Sequence, residues 1–271
     1  MKRLVLSCAV VVLAATACSP STATPDPVSA PTPAVTPPSP GEPLFSADLS
    51  GRNRLLTNEY AHWNKGKGVR SQQWDVTSGS LFLRDGVGWS GRPDAKLPDK
   101  LSRTGNNSSV FRMTTRQKNF RDVRVDLKLR NLGLSKQATS GGWDGVHLFL
   151  RWQSERDLYA VTLNRRDNTV VVKRKLPGGS SNGGHYAEIQ REPYSVPEGL
   201  WQPFSVTIQN TGPTVTIMIF VNDRLILKAE DKGTRMPLKA DRGPQITKAG
   251  AVGIRADNCE FEFSDFKVYA L

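Results

Sequence analysis

Apolar and polar residues alternate with a period of two over much of the chain after residue 44. In residues 123–129, Val or Leu alternates with Arg, Asp or Lys, which is the pattern of a β-strand with one buried and one wet face. Residues 146–152 and 204–208 repeat this alternation, and 214–221 form a run typical of a buried strand. The 3.6-residue apolar period of an amphipathic helix is missing. Many short strands separated by Gly and Pro predict an all-β sandwich or barrel.

Short polar pairs predict the hairpin turns. Asn222-Asp223 follows the run 214–221 and precedes another apolar segment, so it predicts a tight turn. A four-residue turn at 154–157 and a second turn at Asp167-Asn168 predict a central three-stranded unit. In this register Trp152 faces Tyr159, His147 faces Asn164, and Thr162 faces Lys173. The predicted core face then carries Leu148, Leu150, Trp152, Tyr159, Val161, Leu163 and Val172. The predicted outer face carries His147, Phe149, Arg151, Thr162, Asn164 and Lys173.

The last strand contains a break in the alternation. Phe261 and Phe263 occupy odd positions, whereas Phe266 and Val268 occupy even ones. One extra residue in a strand moves the following side chains to the other face, so we expect a β-bulge near residues 264–265. Cys259 shares the parity of Phe261 and is expected in the core as a small apolar residue.

The N-terminus has the layout of a secretory signal. Lys2 and Arg3 precede an apolar stretch at 4–15, which is too short to span a bilayer. Small residues before Cys18 resemble the lipobox of bacterial lipoproteins, which implies that the Cys18 thiol is lipidated. An ordinary signal peptide cut near Ala17 is the alternative. We therefore predict an exported protein that is lipid-anchored to the cell membrane and faces the extracellular side.

Composition divides the remaining chain. Residues 18–43 comprise the lipidated cysteine and a linker rich in Pro, Ser and Thr, which lacks the apolar surface needed to fold. The organisation predicted is a signal peptide at 1–17, this linker at 18–43 and one β-sandwich domain at 44–271. The chain has 37 Lys and Arg residues against 25 Asp and Glu, a net charge of +12. This favours anionic partners, although a solvated basic surface gives the same balance. Nucleic acid is not expected, because the protein is exported and lacks a recognisable nucleic-acid motif.

Several strings along the domain point to a known family. They are "WDVTSGSLFLRDG" from Trp74, "DGVHLFLRWQ" from Asp144, "LWQPFSVTIQN" from Leu200, "VNDRLIL" from Val221 and "AGAVGIRADNCEFEFSDFKV" from Ala249. Together they resemble the concanavalin A-like lectin/glucanase sandwiches, in particular the laminin-G-like domains. The resemblance implies a jelly-roll sandwich of two antiparallel sheets that binds glycans on its concave sheet. The fold hosts lectins, hydrolases, lyases and interaction modules, so it does not define the function.

The predicted outer face and the loops beside it form the candidate ligand site. Hydrogen-bonding side chains combined with aromatic rings are typical of carbohydrate sites, whereas a merely solvated face is the alternative. We interpret Gly86–Gly91, which matches G-x-G-x-x-G but is followed by prolines rather than a helix, as a loop presenting Trp89. Gly-rich loops also carry Trp143 and Tyr186. The candidate ligand-binding residues are His147, Arg151, Asn164, Lys173, Trp89, Trp143 and Tyr186.

Catalysis is a competing hypothesis. Glu260, Glu262 and Asp265 resemble the catalytic carboxylate run of laminarinase-type hydrolases, but the residue order is permuted and the run lies on the last strand. Solvent-facing carboxylates are therefore the preferred interpretation.

A lyase needs cations or amides that neutralise the uronate, together with a base and an acid. Arg151, Asn164 and Lys173 could neutralise the uronate carboxylate, while His147 could act as the base and Tyr186 as the acid. The sequence strings typical of alginate-lyase-type sandwiches are absent, however. Asp144 is the lone acidic candidate at the rim.

Metal chemistry receives weak support from the sequence. The histidines His62, His147 and His185 lie far apart, so a zinc site is not expected. Many sandwiches of the resembled family hold a calcium ion between the first and last strands. Asp48 and Asp265 are the candidate ligands, because calcium prefers carboxylate oxygens. The same two residues serve equally well as turn caps.

These observations predict a surface lipoprotein that binds carbohydrate through its concave sheet without catalysis. An anionic glycan is favoured by the net charge. The alternatives are a glycoside hydrolase or lyase on the same fold and a non-catalytic interaction domain of the envelope.

Overall fold

A computed structural model describes residues 35–59, 68–91, 110–134, 141–181, 183–233 and 244–271, together with the backbone of 93–94 and 107–108. Cys18, His62, the predicted signal peptide and most of the predicted linker lie outside these residues. The chain separates into one unit at Met1–Pro33 and a second at Ala34–Leu271. The part of the chain described in the second unit is built from strands and contains no helix.

The strands are β1 (Pro43–Ser46), β2 (Arg54–Thr57), β3 (Trp74–Ser78), β4 (Leu81–Arg84), β5 (Val87–Trp89), β6 (Pro93–Asp94), β7 (Asn107–Ser108), β8 (Val110–Thr115), β9 (Val123–Leu134), β10 (Gly145–Ser154), β11 (Asp157–Arg165), β12 (Thr169–Ser181), β13 (Gly184–Pro193), β14 (Gln202–Thr211), β15 (Thr214–Val221), β16 (Arg224–Asp231), β17 (Ala251–Asp257) and β18 (Cys259–Ala270).

Two antiparallel sheets form the domain. The nine-stranded sheet has the order β16-β15-β14-β9-β18-β5-β4-β2, with β1 paired to β18. The seven-stranded sheet has the order β13-β12-β11-β10-β17-β8-β3, and β6 and β7 form a short parallel pair. The predicted sandwich of two antiparallel sheets is therefore confirmed. For the residues that the structure describes, no helix is long and apolar enough to cross a membrane.

The core lies between the two sheets and takes the apolar half of each alternating strand. Val123, Val125, Leu127 and Leu129 of β9 are buried there, as their spacing predicts. Aromatic rings pack edge to face at one end, where Trp74 lies 5.3 Å from Phe45 and 5.2 Å from Phe266 between ring centroids. Cys259 is buried in the same core, which confirms its predicted packing role.

Two local predictions about turns and bulges are confirmed. The register of β18 against β9 shifts between Ser264 and Lys267, and Asp265 has a φ of 51°. This bulge allows Phe266 to join Phe263 in the core despite their opposite parity. Asn222 and Asp223 both have positive φ, at 49° and 59°, which is the geometry of a type I′ hairpin turn.

A buried polar contact links the sheets at their edge. Asp231, the last residue of β16 in the nine-stranded sheet, accepts hydrogen bonds from two side chains of the seven-stranded sheet. The donors are the Tyr159 hydroxyl at 2.7 Å and the Arg174 Nη1 at 2.7 Å. All three residues are buried, so the contact aligns the sheets as well as packing them.

Candidate functional site: a cavity on the seven-stranded sheet

A cavity of about 490 Å³ opens on the outer face of the seven-stranded sheet, the face turned away from the core. Strands β10, β11, β12, β13 and β17 supply its floor and walls, because alternate residues of each strand point outward. The described residues that line it are Trp143, His147, Phe149, Ala160, Arg165, Lys173, Ser181, Tyr186, Arg191, Arg255 and Asp257.

A charged cluster occupies the β10–β17 side of the cavity. Arg255 donates to both oxygens of Asp257, with Nη2 2.7 Å from Oδ1 and Nε 2.8 Å from Oδ2. His147 Nε2 lies 3.1 Å from Asp257 Oδ2. Burial opposes ionisation of Asp257, but the Arg255 guanidinium outweighs it and lowers the pKa of this carboxyl. Burial lowers the pKa of His147 despite the nearby carboxylate, so His147 is neutral at pH 7.

Lys173 and Tyr186 form the opposite side. Lys173 Nζ lies 6.0 Å from the centre of the Tyr186 ring, and the Tyr186 hydroxyl accepts a hydrogen bond from Arg255 Nη1 at 3.2 Å. Burial and the neighbouring Arg165 lower the pKa of Lys173 to about 8. Burial raises the pKa of Tyr186. Lys173 makes no ion pair with the described residues, because the opposite Glu188 is bound by Arg191.

Ion pairs neutralise the other cations of the cavity wall. Arg165 Nε donates to Asp167 Oδ1 at 2.8 Å. Arg191 contacts Glu188 through Nη2 at 2.6 Å and Nε at 2.9 Å. The Lys173 ammonium is therefore the cation in this wall that lacks an anionic partner among the described residues. Phe149 and Ala160 give an apolar floor beside it. Such a surface can stack on the face of a sugar ring and attract a negative substituent.

The structure brings together four of the seven predicted ligand-binding residues. His147, Lys173, Trp143 and Tyr186 all line the cavity. Trp143 comes from a loop, as predicted, and is 59% exposed at the rim. Tyr186 lies in strand β13 rather than in a loop. The binding roles of these residues stay predictions, whereas their common location is an observation.

Arg151 is not on this face, so its predicted placement is wrong. β10 carries two extra residues between Leu150 and Ser154 relative to β11, and Arg151 there has a φ of 46°. Its side chain is fully buried and donates to Asp122 Oδ1 at 3.0 Å and Asn210 Oδ1 at 2.7 Å. The same bulge turns Trp152 out of the core, so its predicted core position is also wrong. Trp152 packs beside Phe149 on the outer face.

Asn164 is likewise displaced. A second irregularity in the β10–β11 pairing sets Val146 opposite Asn164 and His147 opposite Thr162. Asn164 is buried and does not line the cavity, whereas its neighbour Arg165 does. The prediction of Asn164 as an outward-facing residue is therefore wrong. It assumed strict alternation of side chains along β11, and the irregularity in the pairing with β10 interrupts that alternation.

The predicted registers were wrong by two residues in both hairpins. Tyr159 pairs with Leu150 rather than Trp152, and Lys173 pairs with Ala160 rather than Thr162. The turn that closes at Ser154–Asp157 is observed as predicted. An even shift preserves the face of each side chain, which is why His147 and Lys173 still meet.

Trp89 belongs to the other sheet. It ends β5 of the nine-stranded sheet, where the Arg84 guanidinium lies 4.0 Å above its ring and Glu260 accepts from its indole nitrogen at 2.8 Å. The prediction that it sits in a loop beside the site is wrong. Pairing with β4 and with β18 makes this short segment a strand.

Two of the carboxylates considered for catalysis, Glu262 and Asp144, are buried in structural contacts. Glu262 is 2% exposed and bound by Arg84 and Arg130, with Arg130 Nε at 2.7 Å. Its predicted solvent-facing position is therefore wrong. Asp144, predicted at the rim, is fully buried and accepts from the backbone of Gly141 at 2.9 Å.

The two calcium candidates have local partners. Asp48 Oδ1 accepts from the Ser50 hydroxyl at 2.6 Å and from the Ser50 backbone at 3.0 Å, and these bonds lower its pKa. Asp265 lies 3.0 Å from Lys128 Nζ. Within the described ranges, no group of three or more His, Cys, Asp or Glu residues could hold a metal. These contacts match the turn-cap interpretation, and a calcium site stays a prediction.

Sequence reasoning missed the central ion pair of the site. Arg255 and Asp257 alternate with Ile254 and Ala256, which are buried in the core. The same period-two rule would therefore have placed Arg255 and Asp257 outward. What the sequence did not show is that β17 pairs with β10.

Comparisons with known proteins agree with this fold. No protein-family model matches the sequence, and no curated protein matches it significantly. A protein of unknown function with a galectin-like fold from Bacillus subtilis aligns with a TM-score of 0.52 and 12% identity, over 85% of this chain and 97% of that chain. The carbohydrate-binding module CBM66 from Bacillus subtilis aligns with a TM-score of 0.47 and 10% identity, over 74% and 99%. An endo-1,3-β-glucanase from Streptomyces sioyaensis aligns with a TM-score of 0.49 and 13% identity, over 88% of this chain and 100% of that chain.

The domain therefore has the fold of a concanavalin A-like jelly-roll sandwich of two antiparallel sheets. The resemblance noted from the sequence is confirmed at the level of the fold. At these identities the likeness extends no further than the fold.

Proposed function

We propose that this protein binds carbohydrate in the cavity of the seven-stranded sheet and that the bound sugar carries a negative charge. The observation that carries the proposal is the Lys173 ammonium, which lies beside Tyr186 above an apolar floor and makes no ion pair with a carboxylate of the described residues. Even partial burial of a cation is unfavourable unless an anion compensates the charge. A carboxylated, sulfated or phosphorylated sugar supplies both the anion and a ring to stack.

The remaining wall supports orientation of such a sugar. Neutral His147 can donate and accept hydrogen bonds, and Tyr186 adds a hydroxyl. Trp143 at the rim offers an exposed ring of the kind that packs on pyranose faces. The overall charge of +12 favours the approach of anionic polymers through long-range attraction.

Binding is a better account of this cavity than hydrolysis. Glycoside hydrolysis uses two carboxyl groups that flank the scissile bond. Of the described residues that line the cavity, Asp257 alone is a carboxylate, and Arg255 holds both of its oxygens. Lyase chemistry by His147 and Tyr186 remains the alternative, and it would release unsaturated ends.

The location belongs to the same proposal. Lipidation of Cys18 after export would fix the protein to the outer side of the membrane, with the residues that follow as a tether. The support is the sequence pattern of residues 1–18. Replacing Cys18 with Ala should release the protein from the membrane fraction into the medium.

The test is a comparison of Lys173→Met with the wild type in the purified full-length protein. We expect the wild type to bind polygalacturonate or a sulfated glycan more tightly than a neutral glucan, and more weakly as salt rises. Lys173→Met should lower the affinity for the acidic polymer at least about tenfold, because the positive charge inside the cavity is lost. Calorimetry measures binding, and assays for reducing and unsaturated ends run in parallel.

The matched control is Lys228→Met, since Lys228 is exposed on β16 of the opposite sheet. Equal loss in both variants would mean that non-specific charge, not the cavity, binds the polymer. New chain ends would establish the enzymatic alternative. If no polysaccharide is bound, the carbohydrate proposal is wrong and an envelope interaction domain is the remaining hypothesis.

A further inference from the structure

The cavity adjoins a small depression on the same sheet face. Phe149, Tyr186 and Arg255 line both, so the two surfaces share one boundary. The depression extends to Trp152 and Lys175, which the cavity does not include. It encloses only about 10 Å³, so a ligand would lie over it rather than inside it.

Lys175 gives the depression the same chemical character as the cavity. It is 2% exposed and makes no ion pair with the described residues. The nearby Glu155 is bound by Arg112 at 3.3 Å. Lys175 Nζ lies 4.9 Å from the centre of the Tyr186 ring, and burial together with Arg255 and Arg112 lowers its pKa to about 8. Lys175 is therefore a second cation, more deeply buried than Lys173, that makes no ion pair with the described residues.

The two lysines repeat along one strand. Lys173 and Lys175 are two residues apart on β12, so both point outward, with Cα atoms roughly 6.6 Å apart. Tyr186 stands between the cavity and the depression and contacts both ammonium groups. Past Lys175, the exposed Lys118 lies 5.6 Å above the ring of Trp152. Aromatic rings and cations therefore alternate from Trp143 to Lys118.

We propose that the cavity and the depression are adjacent subsites of one groove, and that the groove binds an internal segment of a linear polyanionic polysaccharide. One charged unit lies at Lys173 and the next at Lys175, while Trp152 and Lys118 extend the platform. This inference rests on the proposed carbohydrate function and adds its substrate class. A polymer with repeated negative charges fits better than a single acidic sugar, because both lysines need compensation.

The test measures affinity against chain length in the full-length protein. The probes are oligogalacturonates of one to six residues and, in a second arm, sulfated oligosaccharides of matched length. We expect wild-type affinity to rise at least about tenfold between one and four residues, as units occupy both subsites. Titration followed by NMR reports the weak complexes, and calorimetry reports the stronger ones.

Lys175→Met is the decisive variant. It should remove most of the gain with length while leaving the affinity for galacturonate alone unchanged, and Trp152→Leu should act in the same direction. Lys173→Met should lower affinity at every length, and Lys228→Met at none. A thermal melt of Lys175→Met that is no lower than that of the wild type excludes a folding defect.

The outcomes separate the two proposals. If galacturonate binds but affinity is independent of length, or if Lys175→Met weakens short and long chains alike, the groove is wrong and the single-sugar site stands. If the uronate and the sulfated probes both fail at every length, the proposed function and the groove are both wrong. Preference for one arm identifies which anionic group the lysines accept.

Discussion

Lys175 is nearly buried, with its Nζ 4.9 Å from the centre of the Tyr186 ring and with Arg112 and Arg255 as its cationic neighbours. A side chain in this position destabilises the folded protein, because its charge loses hydration without gaining an ion pair among the described residues. Such a cost at a solvent-facing groove is more easily explained by a ligand than by packing. The neighbouring Lys173 has a similar environment and a pKa lowered to about 8 as well.

The stability of the protein should therefore depend on pH through Lys175. The pKa of Lys175 is about 8 in the folded protein, whereas its ordinary value of 10.5 applies to the unfolded chain. Between these two pH values the unfolded state therefore binds more protons than the folded state. The destabilisation is complete below pH 8 and decreases as the pH rises toward 10.5. We expect Lys175→Met to be more stable than the wild type at pH 7 by about 1–2 kcal/mol, after allowance for solvent in the groove.

Urea unfolding of both proteins at pH 7, 8.5 and 9.5 measures this difference. The gain from Lys175→Met should shrink steadily over that range, while titration of other groups cancels between the two proteins. A difference that stays constant with pH would show that methionine acts through packing, not through the lost charge. Lys228→Met should show no such trend, because Lys228 is exposed.

Strand β10 shows how one local irregularity decides the composition of the site. The bulge between Leu150 and Ser154 turns Arg151 inward and Trp152 outward. Arg151 then donates to Asp122, to Asn210 and to the backbone oxygens of residues 121 and 246. This residue therefore ties β10 to the opposite sheet and its adjoining loops and does not contact a ligand in the cavity.

Arg151→Ala should reduce the free energy of unfolding by about 3–5 kcal/mol, because it breaks a buried ion pair and leaves several acceptors unsatisfied. Chemical denaturation measures the loss. Arg156→Ala is the matched control, since Arg156 is exposed in the following turn and should change stability by less than about 0.5 kcal/mol. A stability near that of the wild type for Arg151→Ala would mean that the bulge does not form as described.

At the scale of the molecule, the buried contact among Asp231, Arg174 and Tyr159 joins the two sheets. Removing only the carboxylate should leave the Arg174 charge buried without compensation. Asp231→Leu is therefore expected to lower stability by about 3–5 kcal/mol, whereas the double variant Asp231→Leu/Arg174→Met should recover most of that loss. A double-mutant cycle by urea unfolding measures the coupling. Additive losses would contradict a direct interaction.

The chain enters the domain on the side opposite the cavity. The Pro38 backbone oxygen accepts a hydrogen bond from Arg124, on the outer face of the nine-stranded sheet. Ser205 and Asp126 hold the same guanidinium, at 3.1 and 2.6 Å. The cavity opens on the outer face of the other sheet. This arrangement suits the proposed surface attachment, because Pro38 and the cavity lie on opposite faces of the sandwich.

The fold was predictable from the sequence because each cue acts over a few residues. Alternation defined the strands, the parity break at Phe263 and Phe266 located the bulge in β18, and Asn222-Asp223 marked a hairpin turn. The common face of His147 and Lys173 also followed from alternation. An error of two residues in register leaves that face unchanged.

The exact composition of the site was decided by tertiary structure. Bulges in the central hairpin place Trp152 instead of Arg151, and Arg165 instead of Asn164, on the outer face of the sheet. These irregularities leave no local mark in the sequence. The pairing of β17 with β10, which brings Arg255 and Asp257 to His147, joins strands about a hundred residues apart in sequence. Such contacts depend on the packing of whole sheets. The sequence therefore determined the architecture and the character of the site, and the sheet pairing determined which side chains meet there.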